Sequence, residues 1–156
     1  MSTTSPYTTN GKVALETGAG TGIGRAVALE LLARGYQVVL AGRRGELLEE
    51  TRARAGAASG RALAVATDVT REDSIDALFE RLRATYGRLD VLFNNAGRGA
   101  PAVPIDELAV AVWREVVEVN LTGMFLCAQS AIRLMQRQKP KGRRIMLRGK
   151  IDRVDA

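Results

Sequence analysis

The sequence contains no histidine and a single cysteine, Cys127. Without an imidazole, Ser-His-Asp catalysis, Cys-His catalysis and His-ligated zinc are excluded. One cysteine can form neither an internal disulfide nor a thiolate cluster, so we expect no metal site and a reducing, cytoplasmic location. These absences exclude much hydrolase chemistry.

Long apolar runs are also lacking. No stretch approaches the roughly 18 residues of a membrane helix, and residues 1–11 have neither the basic start nor the apolar run of a signal peptide. We therefore expect no membrane partner. The chain has 156 residues, 46% of them hydrophobic and 26% charged, which is typical of one globular domain.

The charge is unevenly distributed along the chain. The 23 basic and 17 acidic residues give a net charge of +6, and the basic excess is concentrated after residue 132. A basic tail can bind nucleic-acid phosphates. This tail carries no aromatic residue that would stack on bases, so nucleic-acid binding is not the function we expect.

Short apolar runs alternate with segments of helical periodicity. Continuous apolar strands separated by helices are typical of a parallel sheet covered on both faces, so the fold class is predicted to be α/β, a doubly wound Rossmann fold. The predicted strands cover residues 12–17, 37–41, 62–66 and 89–93, and the predicted helices cover residues 25–34, 46–54, 71–86, 109–119 and 123–138.

The last part of the chain departs from this alternation. Pro140 is predicted to end the last helix. Residues 144–147 are predicted to open a fifth strand, and the sequence after them indicates no further strand and helix pair. We therefore expect a fold truncated at about the fifth strand. Three segments result: a polar leader over residues 1–11, a dinucleotide-binding domain over 12–145 and a divergent basic tail over 146–156.

A glycine-rich turn joins the first strand to the first helix. At that junction a phosphate can meet free backbone N–H groups and the positive end of the helix dipole, although an ordinary flexible turn is the alternative. Glycine would allow the tight turn, the close approach of a pyrophosphate and the close packing of helix on strand. The candidate residues are Gly18, Thr21, Gly22, Ile23 and Gly24.

The spacing Gly-x-x-x-Gly-x-Gly resembles the cofactor motif of the classical short-chain dehydrogenase/reductase family. Three further segments follow in that family's order: Thr67-Asp68-Val69, Asn94-Asn95-Ala96-Gly97, and Asn120 between Val119 and Leu121. The resemblance covers about residues 12–144, the cofactor-binding part of a typical member. It implies an oxidoreductase that transfers hydride between a nicotinamide cofactor and a small-molecule alcohol or carbonyl substrate, with a homo-oligomer as an open possibility.

The resemblance also assigns roles to individual residues. Asp68 would accept a hydrogen bond from the adenine amino group, with the Val69 backbone beside it, while Asn94, Ala96 and Gly97 would line the ribose. Asn95 is expected to be structural. The alternative for Asp68 is a carboxylate that caps the following helix.

Cofactor choice can be argued from the end of the second strand. An enzyme that prefers NAD places an acid there to bind the ribose 2′-hydroxyl, whereas this sequence has Arg43 and Arg44. Because guanidinium groups pair with a 2′-phosphate, we expect NADP(H), with Arg43 as the main contact. The alternative is two solvated arginines at a helix start.

The catalytic residues of the resembled family are incomplete in this sequence. Asn120 matches the asparagine that holds a proton-relay water, but no Tyr-x-x-x-Lys pair and no matching serine are found. We therefore expect these 156 residues to be inactive alone, after a frameshift, a truncation or an alternative ending; the other possibility is a noncatalytic NADP(H)-binding or oligomer-partner module. Four residues after Tyr7, Tyr36 and Tyr86 stand Gly11, Leu40 and Asp90.

Glu16 is a second departure from the family pattern. It lies within the first strand, which should be buried, where relatives usually have an apolar residue. Because an unpaired buried charge is costly, we expect Glu16 to find a cation, to titrate at a raised pH or to destabilise the sheet.

Overall fold

The structure is a computed structural model that describes residues 11–138. The predicted leader apart from Gly11, the helix stop at Pro140, the fifth strand at 144–147 and the basic tail lie outside the described residues.

Within residues 11–138, four parallel strands form one sheet in the order β3-β2-β1-β4. In β1, Leu15 pairs with Val39 of β2 and with Leu92 of β4. This arrangement confirms the predicted α/β class with a parallel sheet. The strands are β1 (Val13–Thr17), β2 (Gln37–Gly42), β3 (Ala62–Ala66) and β4 (Val91–Asn94).

Helices connect the strands and continue beyond β4. A 3-10 helix, Gly56–Arg61, precedes β3, and a π-helical turn, Glu118–Gly123, joins the last two helices. The α-helices are α1 (Gly22–Ala33), α2 (Gly45–Arg54), α3 (Glu72–Tyr86), α4 (Val110–Val117) and α5 (Met124–Arg137). Among the described residues, no helix combines the length and apolar character needed to cross a bilayer.

Two helix predictions need correction. The first helix begins at Gly22 and not at Arg25, because the last glycines of the motif adopt the helix whose N-terminus they form. The two helices predicted after β4 are joined without an interruption, because the π-helical turn keeps the backbone helical between them. The extra residue of a π-helical turn shifts the phase of the apolar pattern. The sequence therefore shows two helical segments but does not show that the backbone between them stays helical.

The core has one layer on each face of the sheet. Ala14 and Leu40 pack against α1 through Leu32, whereas Leu15 and Val39 pack on the other face, which also includes residues of α3 and α5. Strands buried on both faces explain the continuous apolar runs of the sequence.

Glu16 lies in the middle of this sheet. Its side chain is fully buried between Leu40 of β2 and Phe93 of β4 in the strand register. Neither carboxylate oxygen has a hydrogen-bond partner among the described residues. Burial therefore raises the pKa of Glu16 to about 9, and no cation among the described residues binds its carboxylate.

Candidate functional site

The glycine-rich turn lies at the carboxyl end of β1 and is bonded to β2. The N–H groups of Gly18 and Ala19 donate to the carbonyl oxygen of Ala41 at 2.8 and 3.1 Å. Thr21 is the N-cap of α1, yet its side chain makes no capping hydrogen bond. The N-terminus of α1 therefore lacks a side-chain cap, as an anion site requires.

Gly24 is the point at which α1 packs against this turn. A Cβ atom at Gly24 would lie 2.3 Å from the carbonyl oxygen of Gly18 and 2.6 Å from Asn95 Nδ2. Gly18 itself has a φ of 79°, in the left-handed region that favours glycine. The last glycine of the motif therefore serves helix packing, while Gly18 makes the turn.

The segment after β4 is fastened to β1 through Thr17. Thr17 Oγ1 accepts hydrogen bonds from the N–H groups of Asn95 and Ala96, both at 3.0 Å. Asn95 Nδ2 in turn donates to the Thr17 carbonyl oxygen at 3.2 Å. These bonds support the structural role predicted for Asn95.

A cleft of about 340 Å³ opens beside the turn. All predicted cofactor residues line it except Gly24 and Asn94. Sequence reasoning did not assign Leu47 and Leu48, because they come from α2 and carry no local motif; Gly20 and Thr67 adjoin predicted residues. The predicted residues that line the cleft are Gly18, Thr21, Gly22, Ile23, Arg43, Arg44, Asp68, Val69, Ala96 and Gly97; the additional ones are Gly20, Gly42, Leu47, Leu48, Thr67, Asn95 and Val119.

Asp68 is oriented by the turn that precedes α3. Its Oδ1 atom accepts hydrogen bonds from the Thr70 N–H at 3.0 Å and from Thr70 Oγ1 at 2.8 Å, and its own N–H donates to Ser74 Oγ. The Thr70 N–H is the main cause that lowers the Asp68 pKa, and Arg43 contributes through its charge. The helix-cap alternative is not observed, because Arg71 is the N-cap of α3.

Arg43 and Arg44 stand between the end of β2 and the start of α2. Both side chains are exposed and line the cleft. Neither guanidinium forms a hydrogen bond or an ion pair with another of residues 11–138. Within these residues, both guanidinium groups are therefore available to a ligand in the cleft. The end of β2 carries no acidic residue. This donor set fits an anionic phosphate group.

Of the predicted residues outside the cleft lining, Asn94 and Asn120 bind backbone groups through their side chains. Asn94 Nδ2 donates to the carbonyl oxygen of Met124 at 2.9 Å. Asn120 lies in the π-helical turn, where its Oδ1 accepts from the Arg98 N–H at 2.8 Å and its Nδ2 donates to the Arg98 carbonyl oxygen at 2.9 Å. Both groups of the Asn120 amide thus hold the loop beside Gly97; its catalytic role stays a prediction.

The parallel sheet, the glycine-rich turn and the cleft at the carboxyl ends of the strands define a Rossmann-type α/β domain. The chain belongs to the short chain dehydrogenase family, whose pattern matches residues 12–148. The family predicted from the motifs is thus confirmed.

Individual relatives support the same assignment. Cis-4-hydroxycyclohexanecarboxylate dehydrogenase of Sinomonas cyclohexanicum is 49% identical over 80% of this chain and 49% of its own length. A metagenomic short-chain oxidoreductase in complex with NADP is 36% identical, with a TM-score of 0.77 over 82% of this chain and 58% of its own. A variant of actinorhodin polyketide ketoreductase with NADPH is 37% identical, with a TM-score of 0.74 over 79% and 47%. The chain spans about half the length of the curated relatives it matches.

Proposed function

We propose that this chain binds NADP(H) in the cleft beside the glycine-rich turn. The observation that carries the proposal is the convergence of three features there: the uncapped N-terminus of α1, the paired arginines after β2 and the oriented carboxylate of Asp68. Two similar proteins of known structure hold NADP or NADPH. An NAD-specific site would instead place an acid at the end of β2.

Each part of the cleft has a proposed partner in the cofactor. The turn and the start of α1 bind the pyrophosphate, Arg43 and Arg44 the 2′-phosphate, and Asp68 with Val69 the adenine. Ala96 and Gly97, which line the cleft, are assigned to the ribose, whereas the Asn94 side chain holds the Met124 carbonyl group outside the lining. When bound, the nicotinamide supplies hydride chemistry, and by family the substrate is a small alcohol or carbonyl compound.

The test is a pair of titrations on the purified chain. NADPH and NADH are added separately, and each dissociation constant is measured by calorimetry. We expect NADPH to bind at least about tenfold more tightly, because one extra charge-assisted contact contributes about 1.5–3 kcal/mol. Equal affinities would contradict the assignment of the arginines, and no binding of either cofactor would contradict the proposed function.

The proposal separates cofactor binding from turnover. Because the 156 residues contain no Tyr-x-x-x-Lys pair, we propose that they bind the cofactor without transferring hydride by themselves. NADPH oxidation is followed at saturating cofactor with a panel of aldehydes and ketones. A carbonyl-dependent rate above the no-protein blank would contradict this part of the proposal.

An oligomer-partner role is the second candidate, and exposed apolar side chains of α4, the π-helical turn and α5 favour it. Trp113, Leu121 and Phe125 are 56%, 66% and 60% exposed. Large apolar groups in contact with water are typical of interfaces. Sedimentation at increasing protein concentration should show association that Phe125→Glu weakens; a monomer at every concentration would contradict this candidate.

A further inference from the structure

Side chains from two helices hold the carbonyl groups of the glycine-rich turn. Arg25 of α1 donates through Nη2 to the carbonyl oxygen of Gly20 at 2.5 Å. Thr51 of α2 places its Oγ1 atom 2.9 Å from the carbonyl oxygen of Ala19. Two consecutive carbonyl groups of the turn are thus fixed by side chains from outside the motif.

The two side chains also contact each other. Arg25 Nε donates to Thr51 Oγ1 at 3.0 Å, so the guanidinium and the hydroxyl form one unit. The Thr51 side chain is fully buried. Glu50 binds the same guanidinium at 3.3 Å on the outer side. This unit, Arg25 with Thr51, has little freedom to rotate away from the turn.

Peptide geometry connects these contacts to the cleft. In a planar trans peptide the C=O and N–H groups point in opposite directions. Holding the Ala19 carbonyl therefore directs the N–H of Gly20, and holding the Gly20 carbonyl directs the N–H of Thr21. Gly20 and Thr21 line the cleft, whereas Arg25 and Thr51 are not part of its lining. Because the two carbonyl groups contact Arg25 and Thr51, we infer that the N–H groups point away from these side chains, toward the cleft that Gly20 and Thr21 line.

Helix α2 packs closely behind the same turn. A Cβ atom at Gly20 would lie 3.1 Å from Leu47 Cβ. The Thr51 hydroxyl also lies 2.9 Å from the carbonyl oxygen of Leu47 within its own helix, so its single proton is shared between two carbonyl groups. Removal of the hydroxyl would release the turn while leaving the helix backbone intact.

We propose that Arg25 and Thr51 are positioning residues that preorganise the N–H groups of Gly20 and Thr21 for the cofactor pyrophosphate. This inference rests on the proposed NADP(H) function. Preorganised donors need no reorientation when the anion arrives, so they contribute more to affinity than mobile ones.

The experiment compares two ligands on one variant. Thr51→Val keeps the side-chain shape and removes the hydroxyl, and affinities for NADPH and for adenosine 2′-monophosphate are measured on the full chain. The second ligand has the 2′-phosphate and adenine but no pyrophosphate. We expect NADPH affinity to fall about tenfold and adenosine 2′-monophosphate affinity to stay within twofold.

Matched variants distinguish a loss of turn positioning from a general loss of the folded structure. Thr51→Ser retains the hydroxyl and should restore NADPH affinity to within about twofold of the original chain. Arg54→Met removes a cation from the same carboxylate of Glu50 without touching the turn, and it should leave both affinities unchanged. Arg25→Met should show the same selective loss of NADPH affinity as Thr51→Val. If Thr51→Val does not fold, Arg25→Met tests the inference in its place.

The outcomes are distinguishable. Selective loss of NADPH affinity with rescue by Thr51→Ser supports the inference. Unchanged NADPH affinity in the folded variant overturns it, as does an equal loss for both ligands. If the original chain binds no NADPH, the proposed function itself fails and this inference fails with it.

Discussion

Thr17 and Asn95 bind each other twice across the carboxyl ends of β1 and β4: the Asn95 N–H donates to Thr17 Oγ1 at 3.0 Å and Asn95 Nδ2 donates to the Thr17 carbonyl oxygen at 3.2 Å. Thr17 Oγ1 also accepts the Ala96 N–H. One buried hydroxyl thus attaches the loop after β4 to the strand that begins the cofactor cleft.

Thr17→Val should therefore destabilise the fold. The change leaves the half-buried N–H groups of Asn95 and Ala96 without their acceptor, and each costs less than the about 1–3 kcal/mol of a fully buried unsatisfied donor. The free energy of unfolding from urea titration should fall by about 1–3 kcal/mol for the pair, because water can reach both groups in part. Thr17→Ser, which keeps the acceptor, should lose less than half as much; an equal loss in both variants would assign the effect to packing.

Glu16 makes stability depend on pH in a defined direction. Its pKa is about 9 in the fold against an ordinary value of 4.5 for a solvated glutamate, so the unfolded chain releases the proton at a lower pH. Stability contributed by the protonated form is complete below about pH 4.5 and is lost as the pH rises toward 9. Urea titrations across this range should give a falling curve that Glu16→Gln flattens.

Glu16→Val should stabilise the protein at neutral pH. The change removes the need to protonate a buried carboxyl on folding, which costs about 1.4 kcal/mol per pH unit above the unfolded pKa. At pH 7 the expected gain in the free energy of unfolding is on the order of 3 kcal/mol. An unchanged melting temperature would mean that the carboxyl reaches solvent or a cation.

Alanine substitutions at Gly24 and Gly22 should distinguish the stability cost of a steric clash from the cost of an unfavourable backbone conformation. Gly24→Ala places a Cβ atom 2.3 Å from the Gly18 carbonyl oxygen, so the fold should lose about 3 kcal/mol or more. At Gly22 a Cβ meets nothing within 4 Å, but φ is 55°, so the cost should be about 1–2 kcal/mol. Gly60→Ala, in open space, is the control. A smaller loss at Gly24 than at Gly22 would contradict this order.

Arg43→Asp should reverse the cofactor preference. The new carboxylate repels a 2′-phosphate and can accept a hydrogen bond from the ribose 2′-hydroxyl of NADH. Calorimetry should show NADPH affinity reduced by about tenfold or more and NADH affinity maintained or raised. Arg81→Asp makes the same charge change on the exposed face of α3, outside the cleft lining, and should alter neither affinity. Retained NADPH preference in Arg43→Asp would assign the 2′-phosphate to Arg44.

The sequence by itself determined the sheet class, the family and most of the cleft. Alternating apolar runs and helical periods are local signals, and the glycine spacing at residues 18–24 marks the turn before α1 in the sequence itself. The burial of Glu16 was also predictable, because a strand in a parallel sheet is covered on both faces.

Only the tertiary structure decided how distant segments support that motif. The contact of Thr51 with Ala19 and the contact of Asn120 with Arg98 join residues from different elements. The presence of a threonine on α2 or an asparagine in a helix does not indicate which backbone group it binds. That choice depends on how the helices pack against the sheet, because a hydrogen bond forms only where packing brings the donor within reach of the acceptor.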